Sequence, residues 1–389
     1  MKCKKLLSFV LLICVLMGVC SFPVSAATLE NGLMYVIKDG EATISNYVGK
    51  STEVVVPAEI EGCPVTAIGG TAFASKQVQK VTLPDTIKVI GPNAFIACTK
   101  LGEINIPGSV TYIADFAFSQ CAVLDNVVIP ASVQYIGRFA FDSCKALTSI
   151  VIPDSTKITF SIFMGCSSLK EVVLPKSLTK LHEGFFNGCS SLESVVIPDS
   201  VTEIQASAFG GCTNLKSVTL SKNLETIAKG AFSGCSSLQE IVIPDSVTNI
   251  NKNAFSDCTS LEKIVFSRSM KTIDTYTMDG CNSLKYVEVP YGIEEIGYLA
   301  FNECRTLETI VLPASVNKID FKAFYRCNSL FAIYYLGTPE QWKEIGLKLP
   351  YRINVLFPNH TPEPSTPEVT LETVMEAFYK SRLIPLWAF

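Results

Sequence analysis

Apolar positions along the chain recur every 23 residues, and inside each repeat they alternate with polar ones in two short runs. In the unit that opens at Cys235 the apolar set is Leu238, Ile241, Ile243, Val247, Ile250, Ala254 and Phe255, with Pro244 between the two runs. Ile241 and Ile243 flank Val242, which is the two-residue period of an extended strand, so the isoleucines face one side and Val242 the other. Pro244 has no backbone donor and marks where that strand stops. Val247 to Ile250 predicts a second, shorter extended segment running back. The A-F-x-x-C stretch predicts a turn, with alanine where space is tight and phenylalanine filling the interior.

These columns run through most of the chain. Cysteine recurs at Cys98, Cys121, Cys144, Cys166, Cys189, Cys212, Cys235, Cys258, Cys281, Cys304 and Cys327, every step being 23 residues except one of 22. The aromatic column begins at Phe73 and ends at Phe324, broken only by Met278, and proline holds its register except where Ser221 and Ser267 replace it. Twelve repeats are visible, with a one-residue deletion in the repeat of Ile158 and Phe163. One such unit cannot bury its own apolar side chains, whereas stacked units turn each column into a ladder. The prediction is a β-rich solenoid of about twelve coils with a parallel sheet. Packed helices of the same period are disfavoured, because a proline in most repeats and the β-branched pairs oppose helix.

The pieces L-x-x-I-x-I-P, S-V-x-x-I and A-F-x-x-C, here Leu238 to Pro244, Ser246 to Ile250 and Ala254 to Cys258, resemble the BspA type of bacterial leucine-rich repeat. The resemblance covers about Val54 to Tyr335. It implies a leucine-rich-repeat solenoid on a secreted or cell-surface protein, and some family members are associated with adhesion to host matrix proteins or to other cells.

The flanks read differently. Lys2, Lys4 and Lys5, an apolar run from Leu6 to Val19 and the end Val24-Ser25-Ala26 predict a signal peptide over 1–26, too short in its apolar part to span a bilayer. Residues 27–56 predict an N-terminal β-hairpin cap around Asp39-Gly40, a strong hairpin signal. The repeats then occupy 57–335, a C-terminal cap 336–357 with Trp342 over the last apolar layer, a Pro/Thr-rich linker 358–368, and a short helical tail 369–389. No other segment is long and apolar enough to cross a membrane after signal cleavage.

Composition narrows the function. Apolar residues make up 48% and charged ones 17%, which suits a large core and excludes a disordered chain. Loss of the three N-terminal lysines would take the formal charge from −4 to −7, which argues against nucleic acid as a partner. The cysteine column lacks the paired spacings and supporting histidines of a metal site, so its thiols read as small buried fillers and no cofactor is expected. Cys63, outside the column, reads as a free residue. The two histidines, His182 and His360, assemble no catalytic set, and His182 reads as a variable position on the convex side. Asp-Ser after proline, as in Asp154-Ser155, reads as local turn chemistry. An enzyme is therefore the least expected function.

What remains is surface. The residue between the two strand isoleucines faces outward, giving the column Asn105, Val128, Val151, Val173, Val196, Thr219, Val242, Val265, Glu288, Val311 and Tyr334. An apolar strip rimmed by polar residues suits a partner-binding surface. Its C-terminal third adds directional groups, so the expected site is Val242, Val265, Tyr286, Glu288, Val311 and Tyr334, taking an extracellular protein or glycan of a host or neighbouring cell. A passive or self-assembling surface scaffold is the alternative.

Overall fold

The structure, a computed structural model, describes residues 27–358. The expected signal peptide, tail and nearly all of the linker lie outside the described residues. The chain divides into two compact units, Met1–Ser221 and Lys222–Phe389.

Both units are built from parallel β-solenoid turns of about 23 residues, about 14 in all, so the coil pattern continues beyond the twelve repeats. In the first unit the strands Leu33–Lys38 and Glu41–Tyr47 form an antiparallel hairpin, turned by Asp39 and Gly40 at φ 53° and 78°. Glu41–Tyr47 then pairs in parallel with Cys63–Ile68, the first of the return segments. Val89–Ile90, Tyr112–Ile113, Tyr135–Ile136 and Lys157–Ile158 extend that ladder one coil at a time.

The sheet face is less regular than the sequence predicts. Its strands pair in short groups rather than in one ladder. Glu53–Val55, Lys80–Thr82 and Glu103–Ile104 form one group, Ser149–Val151 and Glu171–Val173 another, and Ser194–Val196 with Ser217–Thr219 a third. In the second unit Glu240–Val242 pairs with Lys263–Val265, and Tyr286–Glu288, Thr309–Leu312, Ala332–Tyr335 and Asn354–Leu356 form the longest run.

The turn side is where each coil is fastened to the next. Residues just before the A-F pair and just before the cysteine take left-handed backbone, for example Asn93 and Ala97 at φ 57° and 56°. This alternation aims every second N–H at the next coil: Asn93 donates to Asp115 at 3.0 Å, Phe95 to Ala117 at 2.8 Å and Ala97 to Ser119 at 2.8 Å. The second unit repeats it, with Asn253, Phe255 and Asp257 donating to Thr275, Thr277 and Asp279. Bulky Phe116, Phe139 and Tyr276 also adopt positive φ, at 57°, 54° and 56°, a conformation that costs on the order of 1–2 kcal/mol and persists only where the surrounding ladder enforces it.

Between these ladders lies the core. The aromatic column is buried and stacked, with Phe95 and Phe118 5.3 Å apart in the first unit and Phe232 and Phe255 5.3 Å apart in the second. No column thiol is in a disulfide, and several do more than fill space. Cys121 Sγ–H donates to the carbonyl of Phe95 at 3.2 Å, Cys144 to Phe118 at 3.2 Å, and Cys258 to Phe232 at 3.2 Å. The serine of S-V-x-x-I also reaches back one coil, Ser132 to the Val110 carbonyl at 2.7 Å and Ser315 to that of Ile293 at 2.8 Å. Asp154 and Asp245 accept from the backbone N–H of Lys176 and Arg268 in the following coil, each at 2.9 Å. These Asp and Ser side chains therefore link coils instead of closing their own turn.

Three expectations need correction. Cys63 is disulfide-bonded, not free. His182 is half-buried rather than a plain surface position: its ring sits 4.9 Å from Phe160, and burial holds its pKa below the ordinary value. Trp342, on the helix Pro339–Ile345, lies 5.2 Å from the buried ring of Tyr335 but stays half-exposed, so it covers one ring rather than a whole layer. That helix is set by a capping box between Thr338 and Gln341 and ends at left-handed Gly346.

Candidate functional site

In the second unit the strand alternation puts Val242 and Val265 outward as cross-strand partners, 60% and 40% exposed, while Ile241 and Ile264 beneath them are buried. Valine branches at Cβ and fits the pleated surface without needing the core, so these side chains form an apolar step on rigid backbone. Glu240 and Lys263 rim it on one side as cross-strand neighbours.

The next group carries the directional residues. Tyr286 is half-buried and Glu288 exposed, on the same strand and the same face, with the Tyr286 hydroxyl 3.5 Å from the Glu288 carboxylate. Glu288 stands opposite Val311, and Val311 opposite Tyr334. Here the expected column changes character. Val311 is only 3% exposed, so it belongs to the core and leaves the candidate surface. Its register neighbours are the larger Glu288 and Tyr334, and a small side chain between two long ones on one face is covered by them.

Tyr334 is half-buried, and burial pushes its phenol pKa up. The cause is a further strand: Asn354–Leu356 pairs with Ala332–Tyr335 and sets Leu356 beside Tyr334. The structure thus brings Val242 together with Val265, and Tyr286 together with Glu288, and it joins Glu288 to Tyr334 only across a buried valine. Among the described residues the two groups share no strand pairing.

Chemistry of other kinds finds little support. Among the described residues no group of His, Cys, Asp and Glu could hold a metal ion, and no helix is long and apolar enough to cross a membrane. Burial pushes the Cys212 and Cys258 thiols up to about 12, which removes them as nucleophiles at neutral pH.

Sequence reasoning missed one feature of the first unit. A pocket of about 360 Å³ opens on its sheet face, lined by Glu103, Asn105, Ile106, Asp125, Asn126 and Val128 among others. The available signal was Asn105, which interrupts the column otherwise rich in valine.

Comparison with known proteins agrees with this architecture. The BspA type leucine rich repeat region matches residues 66–192, 146–262 and 248–348. A leucine-rich repeat protein from Bacteroides ovatus ATCC 8483 is 26% identical over 87% of this chain and 100% of that chain, with a TM-score of 0.62. A leucine rich cell surface protein from Faecalibacterium prausnitzii A2-165 is 29% identical over 84% of this chain and 98% of that chain, with a TM-score of 0.52. The pneumococcal vaccine antigen PcpA, at 18% identity, 92% and 96% coverage and a TM-score of 0.53, shares the fold alone. No curated protein matches the chain. Because the family model spans most of the chain and the repeat columns coincide with its coils, this chain belongs to the BspA type leucine-rich repeat family.

Proposed function

We propose that this protein works outside the cell as an adhesion or binding module, holding a partner protein on the sheet face of its second unit through Val242, Val265, Tyr286, Glu288 and Tyr334. Repeat solenoids of this family are scaffolds suited to protein interaction, since a stack of rigid strands presents side chains with little ordering cost. The observation that carries the reading is the pair of exposed valines on hydrogen-bonded strands, a surface the core does not need. Tyrosine and glutamate alongside supply contacts with direction, and tyrosine is among the residue types that dominate binding energy at interfaces. The likeness to a cell surface protein of Faecalibacterium prausnitzii supports an extracellular setting.

The test is site-specific photocrosslinking of the protein mixed with purified matrix proteins and with bacterial surface extract. A crosslinker at Val265 should yield one dominant adduct, and one at exposed Lys252 on the turn side of the same unit should not. Equal labelling from both positions would contradict the proposal. Adducts consisting only of a second copy of this chain would favour a self-assembling scaffold instead.

A further inference from the structure

The sheet face of the first unit carries an opening that is independent of the surface proposed above. Strand Glu103–Ile104 pairs backward with Lys80–Thr82, through Lys80↔Glu103 and Val81↔Ile104. Forward, toward residues 125–129, no strand pairing and no backbone hydrogen bond is present among the described residues. On its far side the following coil makes the bridge Asn126↔Ser149, and the Asp125 carbonyl accepts from the Thr148 N–H at 3.2 Å.

Asn105 stands at this edge. Its carboxamide turns back, Nδ2 donating to the Leu83 carbonyl at 2.9 Å and Oδ1 accepting from the Leu83 N–H at 2.8 Å. In a regular coil that N–H is taken by main chain, as where Ile152 donates to the Val173 carbonyl at 3.1 Å. The strand ends at Ile104, and the main chain beyond it makes no backbone bond to the next coil. The pocket described above fills the gap. Its floor includes Ile106, half-exposed where its counterparts Ile129, Ile152 and Ile197 are buried.

One wall is therefore a strand edge without a forward partner and the other a short segment bridged only on its far side, and such open edges recruit extended chain. We propose that this pocket binds an extended segment of a partner polypeptide, about two or three residues of main chain bonding to the two edges. An apolar side chain of that segment rests on Ile106 and Val128. A basic neighbour meets Asp125, since Glu103 is already paired with Lys80 at 2.5 Å. Main-chain complementarity favours a polypeptide over a glycan, whose hydroxyls have no use for the alternation of donors and acceptors along a strand edge.

Amide hydrogen exchange read by NMR tests this with a defined probe, acetyl-Val-Lys-Val-N-methylamide at millimolar concentration. Without probe, the amides of Ile104, Ile106 and Val128 should exchange faster than those of Ile150, Ile152 and Val173, which lie between paired strands. With probe, exchange at the first three should slow at least severalfold while the second three stay unchanged. Asp125→Asn should weaken the response to the lysine-bearing probe but not to acetyl-Val-Thr-Val-N-methylamide, and equal weakening of both would contradict the proposed basic contact. Full protection before any probe is added would overturn the proposal. So would no change with probe, or the same protection from cellobiose alone.

Discussion

The two sides of a coil meet the same hydrogen-bonding demand in different ways. On the turn side three N–H groups per coil donate to the next coil, as at Phe116, Phe118 and Gln120, and stacked phenylalanines and donating thiols fill the space behind them. On the sheet side strands of two to four residues pair in short groups, and their outward side chains contribute little to the stack. The difference teaches that repetition in the sequence follows cohesion. Where every coil must lock onto its neighbour the residues barely vary, and where the ladder is already interrupted the positions are free to acquire contacts with something else.

The comparison can be broken most directly in the aromatic column. Phe209, fully buried and stacked 5.5 Å from Phe186, should cost about 3–5 kcal/mol when cut to alanine, read from urea unfolding. A loss no larger than that of a surface variant would mean the turn side does not carry the fold.

Next comes the thiol column. Cys258→Ala removes one of two donors to the Phe232 carbonyl, which keeps the Cys235 N–H at 3.2 Å, and should cost about 1–2 kcal/mol, combining a lost hydrogen bond with a small void. The same column predicts a pH effect. With the folded thiol pushed up to about 12 from an ordinary 9.0, the folded state holds protons that the unfolded state loses. The thiols' contribution to stability should therefore be complete below pH 9 and decline as pH rises from there toward 12, and native protein at neutral pH should resist a thiol reagent until unfolded.

Smaller effects belong to the sheet side. Val242→Glu with Val265→Lys puts opposite charges on cross-strand partners, and should change stability by less than about 1 kcal/mol. The smallest effect is Lys216→Ala, under about 0.5 kcal/mol, since its 2.8 Å pair with Glu193 is exposed on both sides. A large loss at either place would show that the sheet side is as cohesive as the turn side.

How much of this could be read from sequence follows the same division. The repeat columns placed Ile241 and Ile264 in the core and Val242 and Val265 on the surface, because strand alternation is a local rule. Val311 was misplaced by that rule, since its burial comes from Glu288 and Tyr334 in neighbouring coils, which alternation along one strand does not see. The thiol hydrogen bonds were hidden for a related reason: a column of small residues shows that space is limited, not that an acceptor waits one coil back. The left-handed backbone of the turn was not read at all: Gly165, Gly188 and Gly211 adopt it, but Gln120, Ser143 and Arg326 take the same conformation without a glycine. The pocket beside Asn105 depended on where the ladder between coils is interrupted, which the residues of one repeat do not show.

The central claim, that the turn side holds the molecule together while the sheet side of the second unit meets a partner, is tested most directly by one paired measurement on the variant carrying Val242→Glu and Val265→Lys. Its urea midpoint and its binding to the partner captured at Val265 are read together against the unaltered protein. The account predicts an unfolding midpoint close to the original and binding weakened about tenfold or more, roughly 1.4 kcal/mol. Unchanged binding, or binding lost only in step with stability, would contradict it.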